Sequence, residues 1–288
     1  MQEGLYTVAE WLFWIGIFIV FYTYLGYGIL LYLLVRIKEL FRKPMPIALP
    51  EPLPEVTLFI AAYNEEEIVA DKMKNCYTLA YPADKLKIVW VTDGSNDRTN
   101  ELLKQYPDVT VLFHPERRGK TAALNRGIQY ITTPYVIFTD ANTMLNKEAV
   151  HEIVRQFSNP KVGCVAGEKR VETNTAQGAT AGEGIYWKYE SALKALDFRL
   201  YSAVGAAGEL FAVRTELFEQ MPSDTLLDDF ILSLRIAQKG YTIAYCKEAY
   251  ATETASLNMK EEEKRKIRIA AGGLQSVWRL RSLFNIFR

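Results

Sequence analysis

The apolar and polar positions divide the chain into one long apolar run and a later alternation of short apolar segments with amphipathic ones. Residues 11–35 carry no charged side chain, and as a helix this run is long enough to cross a bilayer. The apolar core of a signal peptide is shorter than this run, which argues against a signal peptide here. Basic residues predominate at 36–43, whereas Glu3 and Glu10 precede the run. The positive-inside rule therefore predicts a cell-membrane protein whose N-terminus is outside and whose chain after residue 36 is cytoplasmic.

From residue 56 the pattern alternates between short runs rich in β-branched and aromatic residues and longer amphipathic segments. Such alternation predicts βαβ units with right-handed crossovers, and hence an α/β domain. The predicted strands are 56–62, 86–92, 109–113, 135–139 and 162–166, and the predicted helices are 65–79, 97–105 and two that begin at residues 120 and 147.

Four regions follow from these patterns. They are a transmembrane anchor at 1–36, a Pro-rich linker at 37–54, an α/β domain at 55–255 and a basic amphipathic segment at 256–288. Five prolines between residues 44 and 54 predict a stiff spacer that holds the domain off the membrane surface. The last segment is expected to lie in the cytoplasmic membrane interface, although packing on the domain is the alternative.

Two predicted strands end in an acid, Asp93 and Asp140, followed by turn formers. Ligands of open α/β sheets bind beyond the carboxyl ends of the strands, so two carboxylates there indicate a site for a metal, a ribose or both. Asp140 and Asn142 offer oxygen ligands at i and i+2, which suit Mg²⁺ or Mn²⁺. The alternative is that each Asp only caps a turn or the next helix.

The first strand ends without a glycine, which argues against the phosphate-binding turns of dehydrogenases and ATPases. A diphosphate would instead need a metal and cationic side chains. Arg117, Arg118 and Lys120 precede a predicted helix N-terminus, where an anion is favoured, unless they belong to a solvated loop.

Composition limits the function further. The 288 residues are 49% hydrophobic, enough for one α/β core, and 34 basic residues balance 34 acidic ones. The chain therefore has no net positive charge that would attract nucleic acid. Three separated cysteines are typical of reduced, buried thiols, and two isolated histidines give no His-based metal site.

Several segments occur in the order and spacing of a known family. They are Tyr63-Asn64-Glu65, Val91-Thr92-Asp93-Gly94-Ser95-Asn96-Asp97, Gly119-Lys120-Thr121-Ala122-Ala123-Leu124-Asn125 and Thr139-Asp140-Ala141-Asn142. With them the chain resembles family 2 glycosyltransferases of the GT-A fold, a Rossmann-like mixed sheet that binds nucleotide-diphospho-sugars. Leu227-Asp228-Asp229 and Arg265-Lys266-Ile267-Arg268 are similar to motifs of its membrane-bound polysaccharide synthases, which include cellulose, hyaluronan and poly-N-acetylglucosamine synthases. The resemblance covers about residues 55–275.

The resemblance implies roles for the residues that match. Those expected to bind the sugar nucleotide are Ala62, Tyr63 and Glu65 around the uridine, Asp93 on the uracil and Lys120 near the nucleotide. Asp140 and Asn142 match the family's DxD motif, which holds the metal and the sugar nucleotide. Here Asn replaces the second Asp, and an amide ligates more weakly than a carboxylate.

The resemblance also implies a catalytic base. Asp229 matches that base, with Asp228 beside it, and one base fits an inverting displacement in which it takes the proton of the acceptor hydroxyl. Both acids begin a predicted helix, 230–239, and could instead serve its N-terminus, a location that would depress the pKa of Asp229. Gly208 matches the family's small-residue acceptor loop; the alternative is an ordinary turn before a strand at 211–213.

Arg265 and Arg268 share one helical face and would clamp a pyrophosphate. The synthases carry Gln-x-x-Arg-Trp at this point, and here Ile269 replaces the Trp. Loss of that aromatic platform leaves processive polymerisation and the identity of the acceptor open. Because such synthases usually continue into further transmembrane helices, the chain is expected to be part of a longer protein.

The leading hypothesis is a membrane-anchored, metal-dependent, inverting glycosyltransferase. It would move sugar from a UDP-sugar donor to a glycan or lipid acceptor, in polysaccharide biosynthesis. One alternative is a nucleotidyltransferase, which would release pyrophosphate. Another is a non-catalytic, sugar-nucleotide-binding partner of a synthase, which the departures at Asn142 and Ile269 favour.

Overall fold

A computed structural model of the chain describes residues 2–42, 47–172, 180–254 and 259–285. Over these residues a single mixed sheet carries helices on both faces. The strands are β1 (Val56–Ala62), β2 (Leu86–Asp93), β3 (Thr110–His114), β4 (Tyr135–Asp140), β5 (Thr143–Leu145), β6 (Val162–Glu172), β7 (Leu210–Arg214) and β8 (Thr242–Thr254). The helices are α1 (Gln2–Phe21), α2 (Tyr27–Phe41), α3 (Val69–Tyr77), α4 (Thr99–Leu103), α5 (Lys120–Gly127), α6 (Ala149–Gln156), α7 (Thr180–Leu200), α8 (Asp228–Gln238) and α9 (Met259–Arg279).

The strand order across the sheet is β3-β2-β1-β4-β7-β6-β8-β5. The first four strands are parallel, as the βαβ alternation predicts. Strand β7 runs antiparallel to both β4 and β6, and β5 runs antiparallel to β8. The sequence pattern did not predict α7, β5 or β8. In β8 the charged pair Lys247 and Glu248 interrupts the apolar pattern near a register shift in its pairing with β6.

Strand β1 illustrates why the sheet is buried on both faces. Leu58 and Ile60 pack with the apolar sides of α3 and α6, whereas Phe59 between them packs with those of α5 and α8. Side chains alternate across a strand, so a continuous apolar run is what two covered faces require. The rings of Phe59, Phe138 and Phe211 pack in series with centroids 5.1 and 4.8 Å apart.

The N-terminal residues form one helical rod. A π-helical turn, Tyr22–Gly26, joins α1 to α2, so the helix continues to Phe41, beyond residue 36. Within the described residues, Tyr6–Phe41 is the one helical segment that is long and apolar enough to cross a membrane. Most of its large apolar side chains are exposed, among them Trp11, Phe18 and Leu33.

Helix α2 packs directly on α7, although the predicted spacer was expected to hold the domain off the membrane surface. Leu31 and Val35 are buried, and the Tyr27 hydroxyl donates to Asp197 at 2.5 Å. Below them Arg199 forms a salt bridge with Glu39 at 2.7 Å. The C-terminal half of the rod is thus part of the domain's packing.

The predicted linker also follows the domain surface. Leu49 and Leu53 pack against the core, and the Pro54 carbonyl accepts a hydrogen bond from Tyr81 at 2.6 Å. Residues 43–46, which include two of the five linker prolines, lie outside the described residues. The structure therefore differs from a free-standing spacer over 47–54, because apolar side chains and backbone carbonyls there have partners on the domain.

Helix α9 has one face on the domain and another in solvent. Gly272, Ser276 and Leu280 are buried, and a Cβ on Gly272 would lie 2.5 Å from the Leu227 side chain. Apolar side chains are also exposed on α9 and just after it: Leu274 (75%), Trp278 (74%) and Phe284 (66%). Packing on the domain is therefore confirmed for one face, and contact of the other with a membrane stays a prediction. Residues 256–258 and 286–288 of the predicted last segment lie outside the described residues.

Candidate active site

The site lies at the carboxyl ends of β1, β2 and β4, where the N-termini of α5 and α8 converge. Parallel strands in register deliver their last residues to the same sheet edge, which brings the β2 and β4 acids together around one loop. Phe59, Phe138 and Phe211 form the apolar floor of a narrow crevice at this edge, and Lys120, Asp140 and Gly208 are among its walls.

Asp93 is buried, with 4% of its surface exposed, and it organises the loop that precedes α5. Its Oδ2 accepts the backbone N–H groups of Arg118 at 2.7 Å and Gly119 at 2.6 Å, and Arg126 approaches Oδ1 at 3.3 Å. The next residue, Gly94, has a φ of +74°, and a Cβ there would lie 2.5 Å from the Arg117 nitrogen. The structure thus gives Asp93 a role in positioning this loop, and its predicted hydrogen bond to uracil stays a prediction.

Lys120 and Asp140 form the central ion pair. The ammonium Nζ of Lys120 lies 2.6 Å from Asp140 Oδ1, and both side chains are about one-third exposed. Burial lowers the pKa of Lys120, but the negative charges of Asp140, Asp228 and Asp229 together raise it by a larger amount. The pKa of Lys120 therefore lies above its usual value. A lysine so placed remains a cation beside any diphosphate that enters.

Asp228 and Asp229 occupy the first turn of α8. Asp229 Oδ1 accepts the backbone N–H of Phe230 at 2.8 Å, and a Cβ on Gly208 would lie 3.2 Å from Asp229 Oδ2 and 3.3 Å from Lys120 Nζ. Among the described residues, Asp228 Oδ2 is buried without a hydrogen-bond partner. Gly208 therefore leaves open the space between a cation and the predicted base.

The pKa of Asp229 differs from the depressed value that its position in the helix predicted. Burial and the neighbouring Asp228 carboxylate raise the pKa to about 7, against the opposing effects of Lys120 and the Phe230 N–H. That prediction was wrong because desolvation and like charge outweigh the favourable field of a helix N-terminus. A carboxyl group with a pKa near neutrality is well matched to accepting a proton.

The end of β1 supplies the predicted nucleotide-binding residues. Ala62 is buried, Tyr63 is partly exposed, and the guanidinium of Arg117 lies 3.7 Å from the centre of the Tyr63 ring. Burial, together with the charges of Asp140 and Asp97, raises the pKa of Glu65, so Glu65 shares the electrostatic environment of the Asp140 turn. Their contacts with a nucleotide stay predictions.

Asp140 and Asn142 are the candidate metal ligands. Asp140 is half-buried at the end of β4. The Asn142 amide nitrogen donates a hydrogen bond to Glu253 at 3.3 Å, which leaves the amide oxygen available as a ligand for a cation. Within the described part of the chain no cluster of three His, Cys, Asp or Glu side chains could hold a metal ion by itself. Two oxygens fit Mg²⁺ or Mn²⁺ only if a diphosphate and water complete the coordination shell.

Arg265 reaches this site, whereas Arg268 is exposed on α9. The Arg265 guanidinium lies 3.2 Å from Glu209, the residue after Gly208. The sequence interpretation overlooked Glu209 and its second partner, Lys169, at 2.5 Å. Glu209 lies beside the predicted Gly208, but only the pairing of β6 with β7 brings Lys169 to it.

Lys72 was also overlooked. It is fully buried in α3, and its Nζ donates to the Thr143 carbonyl at 2.6 Å and to Thr139 Oγ1 at 3.2 Å, so it supports both ends of the Asp140 turn from below. Burial lowers its pKa to about 8. Its sequence signal is a lysine on the helix face of Val69 and Cys76, which both point to the core.

Comparison with known proteins agrees with this geometry. A family model for glycosyl transferase family 2 matches residues 57–221. A poly-β-1,6-N-acetyl-D-glucosamine synthase of Staphylococcus aureus (strain COL) is 28% identical over 250 residues, which are 83% of this chain and 58% of that protein. The chain therefore spans less than two-thirds of the length of this relative.

Solved structures share the fold. The mannosyltransferase PcManGT from Pyrobaculum calidifontis, in complex with GDP-Man and Mn²⁺, superposes with a TM-score of 0.72 at 25% identity, covering 90% of this chain and 72% of the other. GalNAc-T7 with UDP, GalNAc and Mn²⁺ superposes with a TM-score of 0.59 at 19% identity, covering 73% and 45%. The matched family model covers more than half of the sequence and includes the β1, β2 and β4 ends, so the chain belongs to glycosyl transferase family 2 and has its GT-A fold.

Proposed function

We propose that the protein transfers a sugar from a UDP-sugar to a hydroxyl group of a glycan or lipid acceptor, with inversion, in polysaccharide biosynthesis. Family membership and the similarity to a poly-β-1,6-N-acetyl-D-glucosamine synthase support this assignment. The observation that carries it is the convergence of Lys120, Asp140 and Asp229 around Gly208. This arrangement places a cation and a proton acceptor on either side of a gap.

The reaction assigns a task to each side of that gap. Oxygen of the acceptor hydroxyl bonds to the anomeric carbon as the carbon–oxygen bond to the diphosphate breaks, and the hydroxyl proton passes to the Asp229 carboxylate. Lys120 and Arg265 neutralise the departing diphosphate, and burial of the site strengthens both interactions. Gly208 allows the acceptor to approach the backbone closely.

A divalent cation would be held by Asp140 and Asn142 at the end of β4. When bound, it supplies Lewis-acid stabilisation of the diphosphate leaving group. The Mn²⁺ complexes of PcManGT and GalNAc-T7 support a metal of this class, with Mg²⁺ as the other candidate. Tyr63, Glu65 and Asp93 would bind the nucleoside, and Arg268 would extend the diphosphate clamp of Arg265.

The membrane arrangement belongs to the same proposal. Residues 1–36 would anchor the protein with the N-terminus outside, residues 37–54 would lead to a cytoplasmic catalytic domain at 55–255, and 256–288 would lie at the interface. The apolar segment Tyr6–Phe41 and the exposed apolar residues of α9 support it. A glycan or lipid acceptor would then be reached at the cytoplasmic surface of the membrane.

The test uses the full chain in membranes or detergent with Mn²⁺ and a panel of UDP- and GDP-sugars. We expect release of nucleoside diphosphate from one donor, and loss of that release in Asp229→Asn by about 10²–10⁴-fold with UDP binding retained. Asp71→Asn, on the exposed side of α3, is the matched control. Wild-type turnover in the Asp229 variant would refute the base, and pyrophosphate release would instead identify a nucleotidyltransferase. Binding of UDP without turnover of any donor would indicate the non-catalytic partner.

A further inference from the structure

Asn142 stands where the family motif has a second Asp, and its amide is tied to a carboxylate from another strand. Its Nδ2 donates to Glu253 Oε1 at 3.3 Å. The contact is built into the sheet, because the antiparallel pairing of β5 with β8 places Thr143 opposite Glu253. Residues 142 and 253 are therefore held together by a backbone ladder.

Glu253 is itself held in place from its other side. Its Oε2 accepts a hydrogen bond from Lys169 Nζ at 2.5 Å, and the Lys169 side chain is only 7% exposed. The same ammonium bonds Glu209, next to Gly208. Because Oε2 is engaged by Lys169, Oε1 remains directed at the Asn142 amide.

An amide with its nitrogen tied has only its oxygen left for a cation. We infer that Glu253 is a positioning residue of the metal site, which orients Asn142 so that Oδ1 is the ligand presented beside Asp140. This inference rests on the proposed use of a divalent metal. It assigns to Glu253 a task that no sequence motif indicated.

The hydrogen bond also strengthens the amide oxygen as a metal ligand. A carboxylate that accepts a hydrogen bond from an amide N–H polarises the amide and makes its oxygen a stronger metal ligand. Outer-shell carboxylates act in the same way on metal-bound histidines. A second carboxylate is thus present in the structure, one hydrogen bond from the Asn142 amide. It comes from β8 instead of from the β4–β5 turn.

Glu253→Gln gives a sharp test, because Lys169 would take the glutamine oxygen and turn its NH₂ group toward Asn142. The Asn142 amide would then have to invert, and its nitrogen would face the cation. We expect Mn²⁺ binding to the full chain with UDP, measured from the EPR signal of free Mn²⁺, to weaken by about tenfold or more. Glu248→Gln, an exposed acid on the same strand, should bind Mn²⁺ as the wild type does.

The double variant Asn142→Asp/Glu253→Gln separates orientation from general damage to the fold. The glutamine NH₂ group would donate to one oxygen of the new aspartate and leave the other for the cation, so Mn²⁺ binding should recover to near the wild-type level. Asn142→Asp alone should bind Mn²⁺ less tightly than the double variant, because it sets the carboxylates of residues 142 and 253 side by side.

The results distinguish failure of the role inferred for Glu253 from failure of the proposed use of a metal. Wild-type Mn²⁺ affinity in Glu253→Gln, or additive effects in the double variant, would overturn the role of Glu253 and leave metal use intact. Absence of Mn²⁺ binding to the wild-type chain with UDP would overturn both.

Discussion

The ammonium group of Lys120 lies 2.6 Å from Oδ1 of Asp140, and this pair joins the N-terminus of α5 to the end of β4. Strand pairing alone brings Asp140 to the sheet edge, and the loop held by Asp93 directs Lys120 toward it. Both side chains are only about one-third exposed, and Asp140 holds the Lys120 ammonium in place. The fixed positive charge of Lys120 therefore lies where a diphosphate would depart.

Substitution of Lys120 by Met should lower kcat/KM for sugar transfer by about 10²–10³-fold, because the variant lacks a cation near the leaving group. Lys104→Met, at the exposed position just after α4, should leave kcat/KM unchanged. The measurement is nucleoside diphosphate release at saturating Mn²⁺. Equal values for the two variants would contradict the role of Lys120.

The pH profile of kcat should report Asp229. A base acts only when it is ionised, so with a pKa of about 7 the rate should rise as pH increases through neutrality. Asp228 raises that pKa by like charge, and Asp228→Asn should therefore move the acid limb of the profile to lower pH. A bound cation and donor shift both profiles in the same direction, so the comparison is made at one metal concentration. A limb that stays in place or moves to higher pH would contradict the coupling.

Asp229 should also reduce the stability of the fold at high pH. Its pKa is raised on folding, so the protonated form is favoured in the folded state and the free energy of unfolding falls as pH rises through about 7. Asp229→Asn removes this cost and should raise Tm at pH 8. The difference from wild type should shrink as pH falls toward about 4, near the ordinary value of an aspartate. Thermal scans at both pH values test the sign, and a gap that grows on acidification would exclude it.

Packing of the anchor on the domain should contribute measurable stability. Leu31 is 3% exposed on α2, which packs on α7, and Leu31→Ala should lower the free energy of unfolding by about 2–5 kcal/mol. Leu33→Ala, whose side chain is 52% exposed on the same helix, is the matched control. Thermal unfolding of the detergent-solubilised chain compares the two, and equal effects would mean that α2 is not docked in solution.

Local pattern was enough to predict much of the fold and part of the site. Strand β1 was predicted to the residue, β2 and β4 within one residue, and the start of α5 at Lys120, because apolar runs and turn residues are read over short stretches. The acids Asp93 and Asp140 follow directly from strand ends. Helix α7 and strand β8 were missed, since charged residues interrupt both, and their character depends on contacts with α2 and β6.

The amino-acid sequence by itself determined the family, the parallel half of the sheet and the acids at its carboxyl edge. Only the tertiary structure decided that Lys120 pairs with Asp140, that Asp229 has a raised pKa, and that Glu253 meets Asn142. The physical reason is distance along the chain: the two pairs join residues 20 and 111 positions apart, and the burial that raises the pKa of Asp229 exists only in the packed domain. Charge, burial and hydrogen bonding act through space, so their outcome is set once β-strands and helices have packed.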